Sequence, residues 1–457
     1  MSIRLFPSFL LTLFAFYFVS VFSVPAVPIA GAAEQNGGQQ KTWKTIDELS
    51  EAEKATIDFR LDTPRDTAIP YLPAEPYPFE PPYTAEEMGY RSMEFPHVSR
   101  WSHAMADVFG AITSNGYLDE GITIGFSHYL PDQDGVPGQL TVAPGEAYFR
   151  MAFYYTYPPE NQDLQDLWIL RRTDQQETTK LDNFIYSPTL RRVRRQPQPR
   201  RDAQFPNSVQ SFDDIVGRDA WEFSWRLLGT DVLHETVRFP NTRPTVTLAQ
   251  PDGNFYEVPA DHIKMLGDTY PHYTDDGGVA CYVVEARTRK DWLPNYRIGK
   301  LIYWLDRHSF YPLRIEQYDH DNQLVIIEVR NAYLVNPALE GRGYAGLFTV
   351  YYDIGLDLMS YSAHDAHWVR EWSKEDQRTM FEPDFMRRRW LKYPLKTQAL
   401  VYTPEKFFLR PLLYPEKFPD ERKIVVSEVV ARRIDAQEEA GHLVFETTSQ
   451  LSATKTP

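Results

Sequence analysis

The sequence predicts a mainly β fold with some α: a strongly curved antiparallel sheet with short helices and a proline-rich N-terminal arm. Three observations carry this. Segments alternating apolar and polar residues follow one another from about 120 to 350, the period of a half-buried strand. Aromatic residues make up 14% of the chain, with 28 Tyr and 27 Phe, and such rings favour a pleated surface. The 35 Pro and 23 Gly interrupt the chain too often for long helices.

The elements follow in chain order. Arg4 precedes a long apolar run, Leu5 to Ala30, and then "AGAAEQNGG". That order predicts an export signal over 1–33, cleaved near Ala32 or Ala33; the length of the run leaves an uncleaved inner-membrane anchor as the alternative. Residues 34–118 are expected to hold a polar leader (34–45), a short helix within 45–59 and an extended arm. The arm, "IPYLPAEPYPFEPPYTAEEMGY", is so rich in proline that neither helix nor central strand is expected there. Over 98–117, Trp101, Met105, Val108 and Phe109 share a helical stripe, which predicts a helix ended by Asn115-Gly116.

A β domain is expected over 119–395. Phe149, Met151, Phe153, Tyr155 and Tyr157 alternate, as do Trp221, Phe223 and Trp225. "LRIEQYD" and "QLVIIEVR" flank "HDN", a hairpin signal. In "LVIIEV" both faces are apolar, so that strand should be covered on both sides. "WSKEDQRTMF" reads as a helix starting at Ser373, with Asp376 three residues on. Residues 396–457 form a C-terminal extension whose end lacks hydrophobic periodicity and is expected to be loosely held.

Composition narrows the chemistry. The formal net charge of −15 repels phosphate backbones, so no nucleic-acid partner is expected despite the arginines of "LRRVRRQPQPRR". The single cysteine, Cys281, lies in the apolar run "VACYVVEA" and reads as a buried, inert thiol. No nucleophile elbow, phosphate loop or dinucleotide motif is present in the sequence, and no cofactor is expected. The most enzyme-like stretch offers Asp353, Asp357, His364, Asp365 and His367. On a helix His364 and His367 would share a face and hold a metal, but the zincin spacing and its glutamate are missing. An exported sheet with an apolar face can instead curve around a hydrophobic ligand. The residues expected to line such a site are Phe149, Met151, Phe153, Trp168, Tyr186, Trp225 and Tyr303.

The stretch from "NFIYSPTLRRVRR" to "SFDDIVGRDAWEFSW" resembles the bacterial domain-of-unknown-function family 1329 and, more widely, outer-membrane lipoprotein-sorting proteins. Tyr186, Pro188, Leu190, Val193, Arg194, Arg195, Asp213 and Asp214 carry the resemblance, and "IYWLDRHSFYPLRIEQYDHDNQLV" is similar to that family's second block. The likeness spans roughly 120–395. It implies an incomplete β-barrel like LolA and LolB, with helices plugging its hollow, in the periplasm or at the outer membrane. It also implies, as partners, a lipid-exporting permease of the resistance-nodulation-division type and an outer-membrane component. The proline-rich arm at 60–85 and the C-terminal extension depart from LolA and LolB.

Three readings stay open: a periplasmic carrier or chaperone for a lipid, lipoprotein or other hydrophobic molecule; a structural adaptor of the same assembly with a filled cavity; and a metal-dependent enzyme using His364 and His367. The arginine block reads as an ion-pair network at the sheet's rim, or as a seat for an anionic head, built from Arg192, Arg194, Arg195, Asp213 and Asp214. Arg194 and Arg195 lie in the strand-like part, so at least one is expected to face inward. Arg200 and Arg201 follow Pro197 and Pro199 and are expected in a solvated loop.

Overall fold

A computed structural model describes residues 43–97, 100–113, 118–234, 245–249, 255–259, 265–267, 270–334, 337–369, 371–387, 396–397, 399–403, 436, 439–441 and 443–447. The signal segment 1–33 and most of the leader and of the C-terminal extension lie outside them.

The period-two segments become strands β1 (Lys44–Thr45), β2 (His103–Ile112), β3 (Leu118–Tyr129), β4 (Ala147–Tyr157), β5 (Gln165–Arg171), β6 (Leu181–Ser187), β7 (Arg192–Arg195) and β8 (Phe223–Leu233). After a separate hairpin, β9 (Thr245–Ala249) and β10 (Phe255–Pro259), come β11 (Val279–Thr288), β12 (Lys300–Asp306), β13 (Pro312–Tyr318), β14 (Leu324–Leu334), β15 (Tyr344–Asp353) and β16 (Leu358–Val369). β17 (Ala399–Thr403) and β18 (Leu443–Thr447) close the series. Sixteen of them form one sheet in the order β1-β8-β11-β12-β13-β14-β15-β16-β2-β3-β4-β5-β6-β7, with β17 added on β16 and β18 on β17. Every pairing along that path is antiparallel; only β17 and β18 run parallel among the described pairs. The path ends at β1 and β7, which do not pair, so the sheet stays unclosed.

Among the described residues six short α-helices accompany it: α1 (Glu51–Lys54), α2 (Ala85–Ser92), α3 (Gly138–Thr141), α4 (Phe212–Val216), α5 (Lys374–Met380) and α6 (Pro383–Arg387). One of them shows how strongly the sheet bends. In α4, Phe212 packs on Trp168 of β5 with ring centroids 5.8 Å apart, while Asp214 accepts a 3.0 Å hydrogen bond from Gln317 of β13. β5 and β13 are seven steps apart in the strand order, about 34 Å in a flat sheet at roughly 4.8 Å per strand. A five-residue helix reaches both only because the sheet wraps around it. α4 therefore plugs the hollow.

The hollow is filled further by α2. Met88 of α2 joins Leu227, Tyr282, Val284, Leu301 and Tyr303 in a buried cluster, and Gly89 lies flat against Trp225. A Cβ built on Gly89 would come within 2.4 Å of the indole ring, so glycine is what lets the helix approach this closely. The helix begins with a capping box in which the Thr84 and Glu87 side chains each accept from the other's backbone N–H, satisfying two donors left open at a helix start.

Several sequence expectations hold. The hairpin at 312–334 forms, with Asn322 in the left-handed region (φ 65°) of its turn. β14 is buried on both faces from Ile326 to Tyr333. Ser373 caps α5 by accepting from the Asp376 N–H at 3.1 Å. Cys281 is buried.

Others are corrected. Residues 103–112, expected as helix, are β2, registered from His103↔Ser127 to Ile112↔Leu118. His103, Met105, Asp107, Phe109 and Ala111 also fit a strand period, and a stripe of four apolar residues could not decide between the two; Asn115-Gly116 lies outside the described residues. The arm's last residues are not extended but helical, as α2. The helix expected within 45–59 is split into a 3-10 turn at Ile46–Glu48 and the single turn α1, while Lys44 and Thr45 of the leader pair with β8. The stretch holding His364 and His367 is strand β16, so the shared helical face assumed for a metal pair does not exist. Among the described residues no helix is long and apolar enough to cross a membrane.

Gly89→Ala is expected to push the indole of Trp225 out of place and lower stability by about 1–3 kcal/mol, measured by denaturant unfolding of the two proteins side by side. An unchanged unfolding midpoint would show that α2 does not hold Trp225 this tightly.

Candidate functional site

The arginine block separates into two environments: Arg200 is exposed as expected, with its side chain 65% accessible, while Arg201 and the strand arginines depart from expectation. β7 is the last strand of the sheet, and Arg192, Arg194 and Arg195 on it are exposed; Arg195, 63% exposed, pairs with Asp182. Arg201, expected in a solvated loop, has a side chain only 12% exposed and sits between two buried carboxylates. Its Nε donates to Asp213 at 2.9 Å, and its Nη2 donates to Glu222 at 2.7 Å. The two prolines follow strand β7 in an exposed stretch, as expected, and the chain becomes buried only from Arg201 and Asp202 on.

This segment builds an ionic lattice inside the hollow. Ser211 caps α4, leaving Asp213 and Asp214 in its first turn, where carboxylates suit the positive end of the helix. Asp214 takes Arg218 at 2.5 Å and Asp213 takes the Tyr296 hydroxyl at 2.9 Å. Arg218 in turn donates to the Tyr296 oxygen at 3.1 Å. Asp219 is contacted by Lys180 at 3.2 Å and Arg100 at 3.7 Å, and accepts from Gln139 at 2.6 Å and Thr173 at 2.9 Å. Burial pushes the Asp219 carboxyl up, but Lys180, Arg100 and Arg201 outweigh burial and hold it at about 2. Asp213 and Asp214 thus meet Arg201 and Arg218, not the strand arginines Arg192, Arg194 and Arg195.

The apolar residues expected to line a ligand site are packed against the protein itself. Phe149, Met151, Phe153 and Trp168 lie in one buried cluster with Val216 and Ala345, and Trp168 stacks on Phe205 with centroids 6.1 Å apart. Trp225 and Tyr303 belong to the cluster under α2, where the space beside them amounts to about 30 Å³. Tyr186 is half-buried on β6.

A larger cavity, about 420 Å³, opens where β3 and β16 end, at Tyr129 and Val369. None of the seven expected apolar residues lines it. Its inner wall carries Tyr90, Trp101 and Tyr129, all buried, with Arg100 and Gln139. Its mouth carries Asp132 and Glu371, both exposed, with Arg342, which pairs with Asp132 at 3.1 Å. Tyr77 donates to Glu94 on the same wall. Burial pushes the Glu94 carboxyl well above the usual range, while burial and the nearby Arg150 push His128 down to about 4. The imidazole of His128 is therefore neutral near pH 7, and the volume falls within the few hundred Å³ typical of small-molecule sites. The signal for this site was scattered in sequence: its walls come from the arm and α2, the residues before β2, the end of β3 with the turn into α3, the stretch between β14 and β15, and the end of β16 with the segment after it.

One buried carboxyl in the core gives a pH handle. Asp166, 7% exposed, accepts from Tyr155 at 2.9 Å; burial raises it to about 6, the Tyr155 hydrogen bond opposing. A raised carboxyl binds its proton more tightly folded than unfolded. Its contribution is full below the unfolded value of about 3.9 and is lost as pH rises through about 6. Asp166→Asn is expected to remove a decline of about 2–3 kcal/mol between about pH 4 and 7, seen by unfolding across that range; an identical decline in both proteins would contradict it.

The lattice gives a second test. Arg201→Ala leaves two buried carboxylates without their partner and is expected to lower stability by about 3–5 kcal/mol. Arg195→Ala, at an exposed pair, is expected to change it by less than about 1 kcal/mol. Thermal unfolding ranks them, and equal losses would place Arg201 outside the lattice.

The solved structures to which the chain is similar include the following three. A DUF1329 family protein from Desulfovibrio piger is 14% identical, the match covering 65% of this chain and 95% of that one, with a TM-score of 0.42. An outer membrane lipoprotein-sorting protein domain from Vibrio parahaemolyticus is 12% identical, covering 66% and 97%, with a TM-score of 0.43. A LolA superfamily protein from Nitrosomonas europaea is 12% identical, covering 64% and 97%, with a TM-score of 0.37. No curated protein matches the chain. The model of the family "Protein of unknown function (DUF1329)" matches residues 71–387, from the arm through α6, and the chain belongs to that family.

Proposed function

We propose that this protein is an exported carrier that shelters a hydrophobic molecule in the cavity at the end of β3 and β16, in the periplasm and in contact with an envelope export system. The observation that carries the reading is the cavity itself: about 420 Å³ walled by aromatic rings in a sheet whose hollow is otherwise packed. Aromatic rings shelter an apolar body from water, and polar groups set among them fix its orientation. The basic, apolar and small-residue order of the first 33 residues supports export. A permease of the resistance-nodulation-division type and an outer-membrane component are the partners assigned to it.

A second reading, an adaptor without cargo, is favoured by one observation. The hollow that would hold an acyl chain in an open sheet is taken up by α2, α4 and their ion pairs. The two readings differ in what copurifies.

Native mass spectrometry of the protein from its own periplasm, followed by organic extraction, is expected to show a bound hydrophobic molecule. Leu140→Trp, which adds bulk to the cavity wall, is expected to lose that molecule while keeping its circular dichroism spectrum. A protein of bare mass from a native source would favour the adaptor.

A further inference from the structure

The inner wall of the cavity carries donors with no acceptor. Arg100 is 8% exposed, and its Nε, Nη1 and Nη2 make no hydrogen bond within the structure; neither does the indole Nε1 of Trp101, 5% exposed. Both residues line the cavity. A buried guanidinium normally fills its planar fork with carboxylate or backbone oxygens. Asp219 balances its charge from 3.7 Å, but that carboxylate already accepts from Gln139 at 2.6 Å and Thr173 at 2.9 Å and pairs with Lys180 at 3.2 Å. Apart from the ring nitrogen of His128, whose role depends on its tautomer, the wall shows four unmet donor atoms against one unmet acceptor, Gln139 Oε1. A ligand that completes this wall must bring oxygens.

We infer that the cavity takes an anionic amphiphile head first, its oxyanion held by the Arg100 fork and the Trp101 N–H and its apolar body lying against Tyr90, Tyr129 and Trp372. This rests on the carrier reading and narrows it to a substrate class: a single-chain or aromatic-bodied molecule with a carboxylate or phosphate head. Two features fit it. Of the carboxylates at the mouth, Glu371 is exposed and Asp132 is balanced by Arg342, so the mouth offers an entering anion no unpaired cation among the described lining residues. Arg342 at the mouth is already paired with Asp132, which leaves Arg100 as the fork open to a ligand among the described lining residues.

Isothermal titration of the full chain with laurate, lauryl phosphate and lauryl alcohol separates head from tail. At least one of the two anions is expected to bind about tenfold or more tightly than the alcohol, the scale of a charge-assisted hydrogen bond. The anion that binds better names the head. Trp101→Phe and Arg100→Lys, which approximate ring shape and keep charge respectively, are each expected to lower the ratio of anion to alcohol affinity measured within the same variant. If anions and alcohol bind equally, or the selectivity survives both substitutions, the oxyanion seat is wrong and the carrier reading stands. If none of the three binds, both fall.

Discussion

Arg201 holds Asp213 on one side and Glu222 on the other, inside the protein. Much of the structure depends on this clamp. It draws both ends of the 201–222 segment to one side chain, so that α4 and the turn after it are fixed as a pillar beneath the sheet. Burying three charges is unfavourable unless every lone pair and proton is met. Here Tyr296, Arg218 and Gln317 complete the set around Asp213 and Asp214. The sheet then has something to wrap, and strands seven places apart in order come to lie on one short helix.

The cavity follows from where the pillar stops. α4 and α2 fill the hollow beneath the middle of the sheet, and the lattice runs on through Asp219 toward Lys180 and Arg100. At Arg100 the row reaches the cavity, whose wall carries the Glu94 carboxyl and the rings of Tyr90, Trp101 and Tyr129. The same arrangement that makes the core solid therefore ends in a chamber whose inner face is polar and whose sides are not. A filled sheet and a ligand site are not alternatives in this molecule; one is built onto the end of the other.

Much of the fold was legible because strand alternation is a local property. The hairpin at 312–334, the two-sided burial of β14 and the Ser373 cap each rest on residues within a few positions of one another. β2 was misread because Trp101, Met105, Val108 and Phe109 satisfy a helical stripe as well as chance alternation allows, and only pairing with β3 and β16 decides. α2 left a readable trace, Thr84 with Glu87 three residues on, which the surrounding prolines obscured. The burial of Arg201 left none. Nothing local distinguishes it from Arg200, which is 65% exposed and pairs with its neighbour Asp202, because the difference lies in Glu222, 21 residues away. The cavity was equally hidden, its walls being gathered from five separate stretches of chain.

Native-state hydrogen exchange reports most directly whether the 201–222 segment is a fixed pillar. Exchange is slow only for amides whose exposure requires the whole core to open. Amides of 213–222 are expected to exchange together with those of β13 and β14, at the rate set by global unfolding. If that segment exchanges far faster than the strands it supports, it is a movable lid and not the pillar on which the sheet is built.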